Sequence, residues 1–373
     1  MPDKIKLAFI VCGLSWGGAE RMVLDIIKHL PKEIYEIHLL TVMGSGDLLP
    51  WFTKTGVTVK IFHKTSKLGL GTLWQIKKYL QAQRIAVVHT HLFAGDTWGR
   101  LAAWLAKIPI IVSTEHNINL DEGRSKKILK KILSLVSDKI IAVSDEVKDY
   151  QICHEKIKES KITVIHNGID FSRFPYKNDY CPQNPVRLGI LGRLEEQKGH
   201  EVAFKALLEL KKMGLKAHLI IKGEGSLKEP LTQLAADLNV QRQLIWETPG
   251  VKVRDFFHQL DFLIIPSKWE GFGLVAAEAM ACGIPVIAAR TGGLMSVISD
   301  YQTGFFFKNG DYLDLARLIN NLRQETGLLE KVRKNARRKA LKQFDIKKTV
   351  KHHENMYLKL YYENIIGQQI LLP

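Results

Sequence analysis

The stretch FLIIPSKWEGFGLVAAEAMACGIPVI, residues 262–287, decides the fold. Four apolar residues, Phe262 to Ile265, stop at Pro266-Ser267, which is the length and boundary of a strand covered on both faces. A glycine-bearing loop, Glu270-Gly271-Phe272-Gly273, leads into a run of helix formers that Gly283 ends. Pro285-Val286-Ile287 opens the next strand. Strand, loop, helix and strand make a βαβ unit, and its two strands lie parallel. The loop leaves free N–H groups at a helix start, where phosphate oxygens are well held. Glu270 and Glu278 stand near that start and two turns along, where carboxylates accept hydrogen bonds from sugar or ribose hydroxyls. The combination points to a nucleotide-sugar site.

The same alternation runs the length of the chain. Candidate strands fall at 7–12, 37–42, 57–62, 86–90, 110–114, 139–143 and 162–166, then at 186–191, 217–222, 244–247, 262–266, 285–289 and 305–307. Amphipathic stretches at 19–30, 73–82, 96–106, 200–213, 227–238 and 273–282 separate them. Residues 170–185, rich in proline and asparagine, read as a linker, and everything after Asp311 reads as helical. The expected fold is α/β: two Rossmann-like doubly wound domains facing a cleft. Residues 1–173 form the first, with a C-terminal helix of about 356–373 packing back on it, and 174–355 the second. Ligands of such sheets bind outside the carboxyl ends of the strands.

At 373 residues the chain suits two domains. Its 46% hydrophobic and 25% charged residues are ordinary for a globular protein. No apolar run approaches the roughly 18 residues that span a bilayer, and Lys6–Cys12 reads as a first buried strand instead of a secretion signal. Four scattered cysteines and no metal-ligand spacing imply neither disulfides nor structural zinc, and fit a reducing cytoplasm. The net charge of +16 divides evenly about Arg173. Basic residues concentrate at Arg124, Lys126, Lys127, Lys130 and Lys131, and again at Arg333, Lys334, Arg337, Arg338, Lys339 and Lys342. Anionic lipid, nucleic acid and phosphorylated substrates would all be attracted. Neither cluster interleaves aromatics as readers of single-stranded RNA do, so no nucleic-acid partner is expected.

Three more loops carry chemistry. Gly13, Gly17 and Gly18 follow the first strand at a spacing unlike Gly-x-Gly-x-x-Gly, which argues against a nicotinamide cofactor while admitting a ligand close to the backbone. Gly192-Arg193-Leu194-Glu195-Glu196-Gln197-Lys198-Gly199 offers a guanidinium fork and an ammonium just past a strand. Preorganised cations there would stabilise a departing diphosphate, a task that Mg²⁺ performs elsewhere. Lys222-Gly223-Glu224-Gly225 adds a loop at the same sheet edge. His89-Thr90-His91, with Gly95, Asp96 and Arg100, ends a first-half strand and reads either as acceptor contact or as structure. Residues 124–136 read as a basic amphipathic helix with an apolar stripe at 128, 129, 132, 133, 135 and 136, either core-packed or laid on anionic lipid.

Together, Gly17-Gly18-Ala19-Glu20-Arg21, His166-Asn167-Gly168-Ile169-Asp170, Gly192 to Gly199, Lys222 to Gly225 and Glu270 to Glu278 resemble glycosyltransferase family 4. The likeness covers about residues 5–310 and implies retaining enzymes of GT-B fold. It implies that Arg193 and Lys198 neutralise the diphosphate of the sugar donor, and that Gly17 and Gly18 approach its phosphate. Glu270 would contact donor-sugar hydroxyls, Glu278 the ribose, and His116 the donor sugar. Phe272, Gly273 and Leu274 would offer backbone amides, and Gly223 would line the same pocket. The catalytic set implied is Glu270, His116, Arg193 and Lys198, with no metal ligands. The substrate implied is a nucleotide-diphospho-sugar such as a UDP- or GDP-sugar, with a glycan or lipid-linked sugar as acceptor. The location implied is cytoplasmic, peripheral to the inner face of the membrane. Another GT-B reaction, such as nucleotide-sugar epimerisation, and a non-catalytic nucleotide-sugar binder stand as alternatives. The chain departs from the family at Leu294-Met295-Ser296, where a glutamate is common, and around Trp246–Gly250.

Overall fold

In a computed structural model of the protein, residues 4–63, 69–120, 122–248, 250 and 253–366 are described. Pro249 of the departing loop and the end of the expected return helix, 367–373, lie outside the described residues. The chain divides into two compact units, Met1–Gly168 with Ile346–Pro373, and Ile169–Asp345.

The first unit carries seven parallel strands: β1 (Ile5–Val11), β2 (Tyr35–Thr41), β3 (Thr58–Ile61), β4 (Val87–His91), β5 (Ile110–Glu115), β6 (Lys139–Ala142) and β7 (Ile162–Val164). Their spatial order is β3-β2-β1-β4-β5-β6-β7. The second unit has β8 (Val186–Leu191), β9 (Ala217–Lys222), β10 (Leu244–Glu247), β11 (Phe262–Ile265), β12 (Val286–Ala289) and β13 (Phe305–Phe307), in the order β10-β9-β8-β11-β12-β13. Every pairing between these strands is parallel. Parallel strands need helical crossovers, and the helices cover both faces. That is why Phe262 to Ile265 can be uniformly apolar and uniformly buried. Both sheets are doubly wound, and the direction of winding reverses between β1 and β4 and between β8 and β11. Those reversals are where ligands of open α/β sheets bind.

The division differs from the expected 173/174 and 355/356 boundaries. Residues 346–355 belong to the first unit because the helix Ile346–Tyr361 begins against Gly168. A Cβ at Gly168 would lie 2.6 Å from the Ile346 Cα, and the Thr349 hydroxyl donates to the His166 carbonyl at 2.9 Å. The expected linker 170–185 is built into the second unit. The Lys177 amide donates to the Cys282 carbonyl (2.9 Å), Arg337 Nη1 to the Phe174 carbonyl (2.9 Å), and the Tyr180 hydroxyl to the Asp261 carbonyl (2.9 Å). Arg333, almost wholly buried, donates to the carbonyls of Gly283 (2.6 Å) and Lys177 and lies over the Tyr180 ring. Much of the second basic concentration is thus structural. Its guanidinium groups satisfy carbonyls that would otherwise be buried without donors.

Candidate active site

The turn after β8 and the loop after β11 meet at the reversal of the second sheet. Gly199, at φ +61°, sits so close to β11 that a Cβ would lie 2.1 Å from the Pro266 carbonyl oxygen. Only glycine allows both that conformation and that approach. The Lys268 amide donates to the Gln197 carbonyl (2.8 Å), and the Gln197 side chain donates to the Trp269 carbonyl (2.9 Å). These bonds hold Lys198 Nζ 2.5 Å from Glu270 Oε1, and the Ser267 hydroxyl donates to the same oxygen at 2.8 Å. Glu270 is 8% exposed. Its backbone carbonyl accepts from the Gly293 amide at 2.9 Å, which draws in the loop after β12.

The remaining second-unit residues lie along the same edge. Arg193 is exposed on the turn after β8, and no described residue pairs with it. Gly223 lets the β9 loop pack on the β8 loop: a Cβ there would come within 1.8 Å of the Gly192 carbonyl oxygen. Gly273, at φ +93°, starts the helix Leu274–Cys282, whose first turn has no side-chain cap. Its first N–H groups therefore lack intrahelical partners. The Phe272 ring is buried edge-on against Phe344 (5.4 Å between centroids). Glu278 is buried in the second turn, and burial together with its charge pushes the Cys282 thiol up to about 12. Among the described residues, no group of three or more His, Cys, Asp or Glu side chains is arranged to hold a metal ion.

In the first unit, Gly17 caps the helix Gly18–His29, and the Glu20 carboxylate lies over it. His116 follows β5, with its Nε2 2.9 Å from His91 Nδ1. His89 is buried beside them, bonded to the Tyr357 hydroxyl (2.6 Å) and the Thr114 hydroxyl (2.7 Å). Burial lowers His116 to about 4, against the pull of Glu115, and holds His89 and His91 well below the ordinary imidazole range. The cluster is neutral at physiological pH. Asp96 and Arg100 are buried and paired with each other, and the Thr90 hydroxyl donates to Asp96 at 2.6 Å, so the structural reading holds for that pair.

The helix Arg124–Leu135 departs most from expectation. Its apolar stripe is split: Leu133 is buried, whereas Ile128, Ile132 and Leu135 are 59%, 55% and 69% exposed. The inward row is Lys130, Leu133, Ser134 and Ser137, at i, i+3, i+4 and i+7. Lys130 Nζ lies 2.8 Å from Glu115, 2.8 Å from Glu122 and 2.9 Å from Glu155. Burial alone would push this ammonium down, but the Glu115 and Glu155 carboxylates outweigh it and hold Lys130 above its ordinary range. Sequence reading missed this cluster, and it missed Ser267 as the partner of Glu270. The spacing of Lys130 with Leu133, Ser134 and Ser137 was the available signal.

Residues 16–173 match a family model described as Glycosyltransferase Family 4, and residues 180–339 one described as Glycosyl transferases group 1. An Escherichia coli relative, UDP-Gal:alpha-D-GlcNAc-diphosphoundecaprenol alpha-1,3-galactosyltransferase, is 26% identical over 96% of this chain and 98% of its own length. The glycogen synthase of Mycobacterium tuberculosis is 30% identical over 80% of this chain and 73% of its own. Among solved structures, Anabaena HepE in complex with UDP and glucose shares the fold with a TM-score of 0.85, at 20% identity, over 95% of this chain and 100% of that one.

Glu155 reports on the buried Lys130 cluster. Burial, then the charge of Glu115, raises its carboxyl from 4.5 to about 7. Between those values the folded chain holds the proton that the unfolded chain has released, so this group's contribution to stability falls as pH rises. The low-titrating His116 and His353 act with the opposite sign below their ordinary 6.5, and a comparison of variant with wild type removes them. The melting temperature of Glu155→Gln, minus that of wild type, should therefore climb between about pH 5 and pH 7. A difference that stays flat across that range contradicts the assignment.

Proposed function

We propose a function from the premise that this chain belongs to glycosyltransferase family 4 and is a glycosyltransferase of GT-B fold. The proposed reaction moves a hexose, with retention, from a UDP-sugar to a lipid-linked or polysaccharide acceptor. The observation that carries it is the Lys198–Glu270 pair at the β8/β11 reversal, with Arg193 exposed beside it. When the bond from sugar to diphosphate breaks, charge accumulates on the phosphate oxygens. Cations already in place stabilise that charge without the reorganisation water would need. Arg193 and Lys198 fill this role. Glu270 turns to the hydroxyls of the donor sugar, Glu278 holds the ribose, and the backbone of Phe272, Gly273 and Leu274 meets phosphate. Gly223 keeps the adjoining loop close. On the first unit, Gly17, Gly18 and His116 serve the phosphate and the sugar. The departing phosphate oxygen takes the proton of the acceptor hydroxyl as that hydroxyl bonds to the anomeric carbon from the same face. The enzyme's part is chiefly positioning and charge stabilisation. UDP is favoured because the name of the full-length E. coli relative specifies UDP-Gal and a diphosphoundecaprenol-linked acceptor.

A lipid-linked acceptor requires access to a membrane surface. Among the described residues no helix is long and apolar enough to cross a membrane. The helix Arg124–Leu135 supplies an alternative, with Ile128, Ile132 and Leu135 turned outward in one stripe and Arg124, Lys126 and Lys131 exposed on the same helix. We place it on the anionic inner face of the cell membrane.

Three outcomes test this reading. In a thermal-shift screen of UDP-, GDP-, dTDP- and ADP-sugars, a UDP-sugar at about 100 times its Kd should raise the melting temperature by about 5–10 °C; a screen in which none shifts it defeats the assignment. Arg193→Ala and Lys198→Ala should each lower turnover by about 10²- to 10³-fold with folding intact, and near-normal rates in either variant remove that residue's role. Replacing both Arg124 and Lys131 by alanine should weaken sedimentation with phosphatidylglycerol-containing vesicles by about 30-fold. Equal binding by wild type and variant refutes the membrane surface.

A further inference from the structure

Histidine 91 has a property that its neighbours lack. It is wholly buried at the end of β4, stacked on Phe9 (5.8 Å between centroids) and close to His89 (4.1 Å). Its Nδ1 meets His116 Nε2 at 2.9 Å, while its Nε2 is buried without a hydrogen-bond partner. The next residue, Leu92, holds φ +62° and ψ 151°, a conformation that non-glycine residues keep only where surrounding structure imposes it. His91 is therefore held firmly, and among the described residues its one polar contact is His116.

Buried N–H groups left without an acceptor are rarer in folded proteins than buried acceptors left short of a donor. The proton of neutral His91 accordingly belongs on Nδ1, and Nδ1–H donates to His116 Nε2. A neutral His116 that accepts at Nε2 must carry its own proton on Nδ1. We propose that His91 is a positioning residue for His116: it fixes the tautomer protonated at Nδ1, so that His116 offers a hydrogen-bond donor, and not a base, to an oxygen of the substrate sugar. This rests on the reading of His116 as a group that meets that sugar.

The full chain labelled with ¹⁵N-histidine decides the tautomer through long-range ¹H–¹⁵N correlation at neutral pH, with His116→Ala assigning the resonances. The expected pattern is protonated Nδ1 and bare Nε2 at His116. His91→Leu should abolish that pattern, and His91→Asn, whose amide N–H replaces Nδ1–H, should keep it. In kinetics, His91→Leu should lower kcat by up to about 100-fold with little change in the KM for the sugar donor, and His91→Asn should recover most of the loss. His116 protonated at Nε2 in the wild-type chain overturns the proposal even if His91→Leu fails to fold. So does equal impairment of the Leu and Asn variants. Normal turnover in His116→Ala would instead defeat the reading beneath it, taking the catalytic half of this proposal with it, while the resonances still decide the direction of the bond.

Discussion

The second unit's ligand edge depends on one close pairing, Lys198 with Glu270. Both side chains are largely removed from water, and an unpaired charge there would cost several kcal/mol. Two segments 72 residues apart must therefore arrive together, and the parallel order that makes β8 and β11 neighbours achieves this. One backbone bond and one Gln197 side-chain bond between the two loops, and a glycine at 199 that tolerates contact with Pro266, close the remaining distance. The carboxylate keeps the Lys198 ammonium in place. On the proposed reading, a donor phosphate would meet an ammonium already oriented, which is the condition under which electrostatic stabilisation of a leaving group is strongest.

The first unit solves the opposite problem at its own strand ends. Its imidazoles are buried and neutral, linked by hydrogen bonds instead of charge, and anchored from the return helix by Tyr357. Nearby, one ammonium gathers three carboxylates, and the surplus negative charge is relieved by the raised affinity of Glu155 for its proton. That cluster turns the helix Arg124–Leu135 about its axis. Burying Lys130 obliges Ile128 and Ile132, two positions away on either side, to face outward.

The architecture was legible because strands covered on both faces leave uninterrupted apolar runs, as at Phe262–Ile265, and because glycine-bearing loops mark where each strand hands over to a helix. The edge residues were legible as candidates for the same reason: they lie just past strand ends. Their pairing was not, since nothing local to Lys198 names Glu270 as its partner. The orientation of the helix Arg124–Leu135 was misread because residue type was taken as a proxy for burial, and a lysine with three glutamates from elsewhere in the chain overrides that proxy. The unit boundary slipped for a related reason. Pro175, Pro182 and Pro185 look like a linker in sequence, yet carbonyls at 174 and 177 are claimed by arginines more than 150 residues later.

These pairings change what the net charge of +16 means. A uniform positive surface would attract any polyanion without choosing among them. Here Lys130, Arg333 and Arg337 are committed to carboxylates, carbonyls and tyrosine or phenylalanine rings within the fold. Many cations remain outward, Lys334, Arg338 and Lys342 among them, and two settings bear on the proposed function. Arg193 stands alone at a strand end beside a carboxylate-held lysine, a setting suited to a compact diphosphate. Arg124, Lys126 and Lys131 share a helix with three exposed aliphatic side chains, a setting suited to a surface that is anionic above and apolar beneath. Charge in this protein is thus informative only after the interior has taken its share.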